Sequence, residues 1–246
     1  VVQRVRLRYA KRGPLRFTSH RDFARALERA LRRAAVPIAF SQGFTPHPKI
    51  SYASASPTGA ASEAEYLELG LREPMEPAHL VTALDAALSP GLDVLEAVTV
   101  TTTDSLADRL AASRWRLELP GVAPDELAQA VAKFEAVDEV AIERLTKQGR
   151  RRLDVRGPVV SITAGTASAP SGVSDAPCAI LECVVRQVTP SVRPDDILSG
   201  LRVVADLIPP APARATRLAQ GPLTAEGEIT DPLAADRYGM PAERAG

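Results

Sequence analysis

The sequence predicts an α+β fold of two tandem β-α-β-β-α-β units, residues 1–104 and 113–222, on three observations. Residues 4–9, RVRLRY, alternate basic and apolar with period two, the pattern of a strand with one buried face. The next segment changes to helical spacing, with Phe23, Leu27, Ala30, Leu31 and Ala34 in one apolar stripe. The same succession of strand and helix periods then recurs in the second half of the chain. Strand-helix-strand-strand-helix-strand is the split unit of a ferredoxin-like domain.

In the first unit, Val5, Leu7 and Tyr9 face the core, and Arg4, Arg6 and Arg8 are expected to form a basic outer face. Gly13 and Pro14 end the strand. Ser19, with Asp22 three residues on, reads as a capping box opening a helix that Pro37 stops. Residues 38–53 read as a strand interrupted by SQGFTPHPK. A second strand at 65–71 carries Leu67, Leu69 and Leu71 on one face. Pro77 suits the first position of a second helix, and residues 92–100 are strand-like.

Residues 101–112 are polar and predict the boundary between units. In the second unit, residues 114–119 alternate as a strand around Trp115, and Pro124 opens a helix with Leu127, Val131 and Phe134. Residues 139–146 and 151–163 read as a hairpin turning at KQGR, 147–150. Residues 164–177 are a loop rich in Gly, Ser, Ala and Pro, 179–187 is a strand, and Pro194 starts a last helix. Residues 213–219 can close the sheet. The tail, 223–246, has few large apolar residues and is expected to be disordered.

The chain has 246 residues, 45% of them hydrophobic and 24% charged, which is ordinary for a globular protein. No apolar run is long enough to span a bilayer, and the start of the chain does not read as a signal peptide, so a cytoplasmic location away from membranes is expected. Cys178 and Cys183 lie on opposite faces of a strand-like run, and three histidines stand without a CxxC pair. This inventory predicts no metal and no cofactor. The net charge is zero but segregated. Residues 1–52 hold 12 Lys/Arg against 2 Asp/Glu, whereas residues 53–143 hold 5 against 17. Either the basic part faces a polyanion or the two parts neutralise each other in the fold.

Two motifs carry candidate chemistry. SHRD, 19–22, places His20 and Arg21 at a helix N-terminus, where backbone N–H groups favour anions. SQGFTPHPKIS, 41–51, is stiffened by Pro46 and Pro48, with Gly43 permitting unusual backbone angles. In it, Gln42 can hydrogen-bond a base, Phe44 can stack and Lys49 can pair with phosphate. Arg21, Arg25, Arg29 and Arg32 on the helix, and Arg150, Arg151 and Arg152 in the hairpin, could track a phosphate backbone. His20 and His47 together could serve as acid and base for RNA cleavage if they lie within reach of one scissile bond.

Residues 13–22, 29–34, 41–51 and 62–66 match, in order, the patterns G-x-L-R-F-x-S-H-x-D, R-A-x-R-R-A, S-x-G-F-N/T-P-H-P-x-I-S and S-E-x-E-Y. On these motifs the chain resembles the radical-SAM-linked protein family of bacteria. The likeness covers about the first 110 residues well and the remainder loosely. It implies an accessory role beside a radical SAM enzyme, in RNA or tRNA-related chemistry such as tRNA modification. This chain has no CxxxCxxC motif, so the radical chemistry would belong to the partner. The tandem plan with a basic face also looks like CRISPR repeat-processing endoribonucleases, by architecture alone. The leading expectation is an RNA-associated accessory module. A metal-independent endoribonuclease and a protein-docking module without RNA contact are the rivals.

Overall fold

The computed structural model describes residues 1–146, 149–166 and 177–238. It is an α+β protein whose chain divides into two compact units. The first comprises Val1–Leu110, Gln220–Pro222 and Thr230–Gly246; the second comprises Ala111–Ala219 and Leu223–Ile229.

The first unit runs β1 (Gln3–Lys11), α1 (His20–Arg33), β2 (Ile50–Ala53), β3 (Ala61–Leu71), α2 (Pro77–Ala87) and β4 (Leu92–Thr99), with a 3-10 turn at Gly13–Phe17. Its strand order is β4-β1-β3-β2, and the pairings β1–β4, β1–β3 and β2–β3 are antiparallel. Val5, Leu7 and Tyr9 of β1 meet Phe23, Leu27 and Leu31 of α1 and Leu80 and Leu84 of α2 in one buried cluster. Tyr9 stacks on Phe23 with ring centroids 4.4 Å apart.

The other face of β1 departs from the expected basic outer surface. Arg6 is fully buried. Residues 101–110, including α3 (Leu106–Arg109), and α6 (Ala234–Tyr238) lie over it. A small apolar cluster of Ala53, Ala64, Tyr66, Val98, Leu106, Leu110 and Leu233 fills the space beside it. The stretch read as a boundary is therefore part of the first unit's core. Residues 223–238 also depart from the expected disorder. Leu223 bridges Ile229, Leu233 is fully buried, and Asp236 is anchored in the first unit. A few well-placed groups hold this segment, which a count of large apolar residues does not detect. Residues 239–246 lie outside the described part.

The second unit runs β5 (Ala112–Pro120), α4 (Pro124–Glu135), β6 (Ala141–Thr146), β7 (Gly149–Asp154), β8 (Val159–Thr166), β9 (Cys178–Arg186), α5 (Pro194–Ala205) and β10 (Arg214–Gly221). Its sheet order is β10-β5-β9-β8, while β6 and β7 pair separately. The expected long strand over 151–163 is thus two strands. The Asp154 carboxylate accepts from the N–H groups of Val140, Arg156 and Gly157, at 3.0, 2.9 and 3.0 Å, and these bonds turn the chain out of the ladder. The expected loop at 164–177 begins as the end of β8; 167–176 and the hairpin-turn residues 147–148 lie outside the described part. On α5, a Cβ at Gly200 would come within 2.7 Å of Val155 and 3.0 Å of Phe134, so this position needs glycine for close packing.

Candidate nucleic-acid interface

The site begins with the cap of α1. Ser19 Oγ accepts from the Asp22 N–H at 3.2 Å and donates to the Asp22 carboxylate at 2.6 Å. The cap forms as the sequence suggests, although Asp22 holds the Ser19 hydroxyl and not its backbone N–H. One face of α1 buries Phe23, Leu27, Ala30 and Leu31. That fixes the outward direction of Arg21, Arg25, Arg29 and Arg32, which fall within about 80° of one another around the helix and are all exposed. Glu28 lies on the same arc, half-buried.

Their electrostatic state differs from that of the strand arginines. Among the described residues, Arg21 and Arg29 make no ion pair, and Arg25 only approaches Asp22 at 4.0 Å, both side chains more than half exposed. Arg32 donates to the Glu28 carbonyl at 3.2 Å. In contrast, Arg4 and Arg6 bind Glu68, and Arg12 binds Glu63 and Asp93, whereas Arg8 stands 4.0 Å from Glu96, no closer than Arg25 to Asp22. The acidic segment 53–143 therefore neutralises β1 and leaves α1 positive.

His20 opens α1 and is exposed; its ring meets Tyr52 of β2 edge-on at 4.8 Å. Tyr52 also meets Phe23. Burial, with the Glu28 charge nearby, pushes the Tyr52 phenol up to about 12. Tyr52 was not singled out from sequence, although its alternation with Ile50 in ISYA marks an inward position.

The loop at 39–49 is a small hairpin tied to the end of β3. Ser41 N–H donates to the His47 carbonyl at 2.8 Å, and His47 N–H donates to Ser41 Oγ at 3.0 Å. Lys49 N–H donates to Ala39 O at 2.8 Å, and Gly70 N–H donates to Lys49 O at 2.9 Å. Gly43 has φ +130° at the tip, a conformation that a Cβ would strain. Gln42, Gly43, Phe44, His47 and Lys49 are all exposed, and the Phe44 ring is completely so. Phe40 and Phe17 are more than half exposed as well. Among the described residues no hydrogen bond or ring contact supports Phe44, so its place owes nothing to packing.

His20 and His47 attach at different levels of β3. His20 rests on Tyr52, which pairs with Leu67, whereas His47 lies two residues beyond Lys49, which is bonded to Gly70. Those two levels of β3 are three residues apart, about 10 Å. Among the described residues no hydrogen bond or ring contact joins the imidazoles. Arg150, Arg151 and Arg152 belong to the second unit, on β7. Arg150 pairs with Glu143 at 3.1 Å and Arg152 with Glu139 at 3.3 Å, all well exposed, and among the described residues Arg151 is the member without an ion pair.

A network under α3 and α6 also escaped the sequence reading. The Asp236 carboxylate accepts from Arg6 at 2.6 Å, from Arg109 at 2.7 Å and from the Thr102 hydroxyl at 2.8 Å. Burial disfavours its charge, but the bonds from Thr102, Arg6 and the Thr101 N–H outweigh this and hold its pKa below the usual aspartate value. Arg109 also binds Asp104 at 2.5 and 2.8 Å and holds that carboxyl well below its usual range. Beside this network lies a cavity of about 310 Å³, lined among others by Arg4, Ser51, Glu68 and Asp104. Cys178 and Cys183 are free thiols, and burial pushes that of Cys183 up to about 12. No helix among the described residues is long and apolar enough to cross a membrane.

Residues 4–194 match the model of a family described as an uncharacterized protein conserved in bacteria, DUF2344. No curated protein matches the sequence. Among solved structures, a protein of unknown function from Galdieria sulphuraria is 12% identical with TM-score 0.24, covering 87% of this chain and 96% of its own. A protein assigned provisionally as a chlorite dismutase is 14% identical with TM-score 0.28, covering 97% and 99%. Likenesses this weak carry no argument about the present chain.

Proposed function

The chain belongs to the DUF2344 family of bacterial proteins, and on that premise we propose that it is an RNA-associated binding module whose first unit holds the nucleic acid. The observation that carries this reading is the α1 stripe. In a unit where the β1 arginines find carboxylates, Arg21, Arg25, Arg29 and Arg32 project into solvent, and among the described residues their one ion pair is the exposed 4.0 Å approach of Arg25 to Asp22. Unneutralised guanidinium groups in a row are suited to phosphates. The hairpin at 39–49 supports the same reading, since it presents Gln42, Phe44, His47 and Lys49 outward.

The strand orders β4-β1-β3-β2 and β10-β5-β9-β8 support two tandem ferredoxin-like domains, the second with the β6–β7 hairpin inserted after α4. The resemblance to the radical-SAM-linked family supports a cytoplasmic accessory role, in which a radical SAM enzyme modifies the RNA, tRNA in the leading case. Under this reading His20 and His47 contact the RNA at separate places.

The test is RNA affinity of the purified chain for a tRNA pool across a salt series. We expect log K to fall linearly with log salt, and Arg25→Ala plus Arg29→Ala to make that slope shallower by about one to two units. Absence of binding at low salt would overturn the proposal and leave the α1 face as a protein-docking surface. Strand cleavage abolished by His47→Ala would instead favour the endoribonuclease.

A further inference from the structure

We infer that the RNA held by the first unit is single-stranded and lies along α1, with a base stacked at each end, on Phe17 and on Phe44; this rests on the RNA-binding reading above. The argument starts from the two ends of the helix. Phe17 precedes the Ser19 cap, its ring is 60% exposed, and the Arg16 guanidinium lies over it at 4.7 Å. Phe44 stands at the tip of the hairpin that follows the other end of α1. The helix has 14 residues, so the two ends are about 21 Å apart.

Between these ends runs the arginine stripe. Arg21, Arg25 and Arg29 are spaced four residues apart, which puts their stems at regular intervals of about 6 Å along the axis. A row of cations with exposed rings at both ends suits a flexible strand whose bases can turn outward to stack. It suits a duplex poorly, because paired bases hide their faces and the protruding Phe44 ring has nothing to stack on. Packing gives no reason for these rings: exposing three large phenylalanines in one small unit costs solubility and adds nothing to the core. The hydrogen bonds across the hairpin hold Phe44 out, and Gly59 N–H donates to the Arg16 carbonyl at 2.8 Å, which fixes the turn carrying Phe17. The backbone on either side of each ring is therefore held before any ligand arrives.

The experiment compares fluorescently labelled RNA oligomers of fixed sequence, of about 2 to 12 nucleotides, with the same oligomers annealed to their complements, against the full chain at low salt. Affinity for single strands should rise with length and level off beyond a site of at least about four nucleotides. The duplex should bind at least tenfold more weakly. Phe17→Ala and Phe44→Ala should each weaken single-strand binding about tenfold while leaving the salt slope unchanged, since neither removes a phosphate contact. Both rings are solvent-exposed, so thermal unfolding of each variant should match the parent. Equal or tighter duplex binding, or unchanged affinity in both phenylalanine variants, overturns the inference while the RNA-binding reading stands. Binding of neither form by the parent chain overturns both.

Discussion

Strand β1 and helix α1 carry arginine at similar density and neighbour each other in sequence, yet their arginines have opposite fates. On β1, Arg6 is fully buried, donating to Glu68, Asp236, the Thr102 hydroxyl and the Asp104 carbonyl. On α1, Arg21 and Arg29 meet solvent. The difference lies in what covers each element. A sheet has two faces, and in this unit the segment 101–110 and α6 cover the one that α1 and α2 leave open. A helix laid on a sheet keeps its far side bare unless a further layer arrives. The same residue type therefore acts as internal cement on the strand and as a free charge on the helix.

The sharpest way to break the comparison is to unpair the buried side. Asp236→Ala would leave Arg6 and Arg109 buried without their shared carboxylate, and should destabilise the protein by about 3–5 kcal/mol in urea denaturation. Loss below 1 kcal/mol would mean that water reaches the network and that β1 and α1 differ less than their burial indicates. Arg6→Met together with Asp236→Leu should recover part of the loss, because it removes one buried charge with its partner while Arg109 keeps only Asp104.

The next effect is on acid stability. Asp104 and Asp236 have folded pKa values below the ordinary aspartate value of 3.8. A group shifted down contributes stability that is complete above its unfolded pKa and is lost as pH falls through the folded one. The urea midpoint should thus hold from neutral pH to about pH 4.5 and drop steeply below it. Asp236→Asn should lower the plateau and flatten the drop. A parent protein with a level midpoint down to pH 2.5 would contradict the assignment.

Smaller again is the cap. Ser19→Ala removes the acceptor for the Asp22 N–H and should cost about 1 kcal/mol by thermal denaturation, with Ser19→Asn nearly neutral. This feature was legible in the sequence because capping is local: the hydroxyl and its N–H partner are three residues apart. The helix starts at Pro77, Pro124 and Pro194 were legible for the same reason, each proline occupying a position whose N–H has no helical partner. The fate of Arg6 was not legible. RVRLRY has the alternation of a solvent-facing basic edge, and the carboxylate that reverses this reading lies 230 residues away. The candidate site divides in the same manner. The stiffness of SQGFTPHPK could be read from Pro46 and Pro48 and its turn from Gly43, whereas the levels at which His20 and His47 attach depend on the pairing of β2 with β3, and so on the sheet register.

The smallest expected effect belongs to the exposed half of the comparison. Arg29→Ala removes a side chain with no ion pair among the described residues, from a helix position where alanine is the better helix former. Stability should change by less than about 0.5 kcal/mol, and in either direction. The informative measurement sets this small change beside affinity: the same variant should weaken RNA binding and reduce its salt slope by about one. If Arg29→Ala lost stability on the scale of Asp236→Ala, α1 would have to be covered by something the unit itself does not supply, such as another copy or a partner chain. Sedimentation of the parent protein across concentrations would then decide between those two covers.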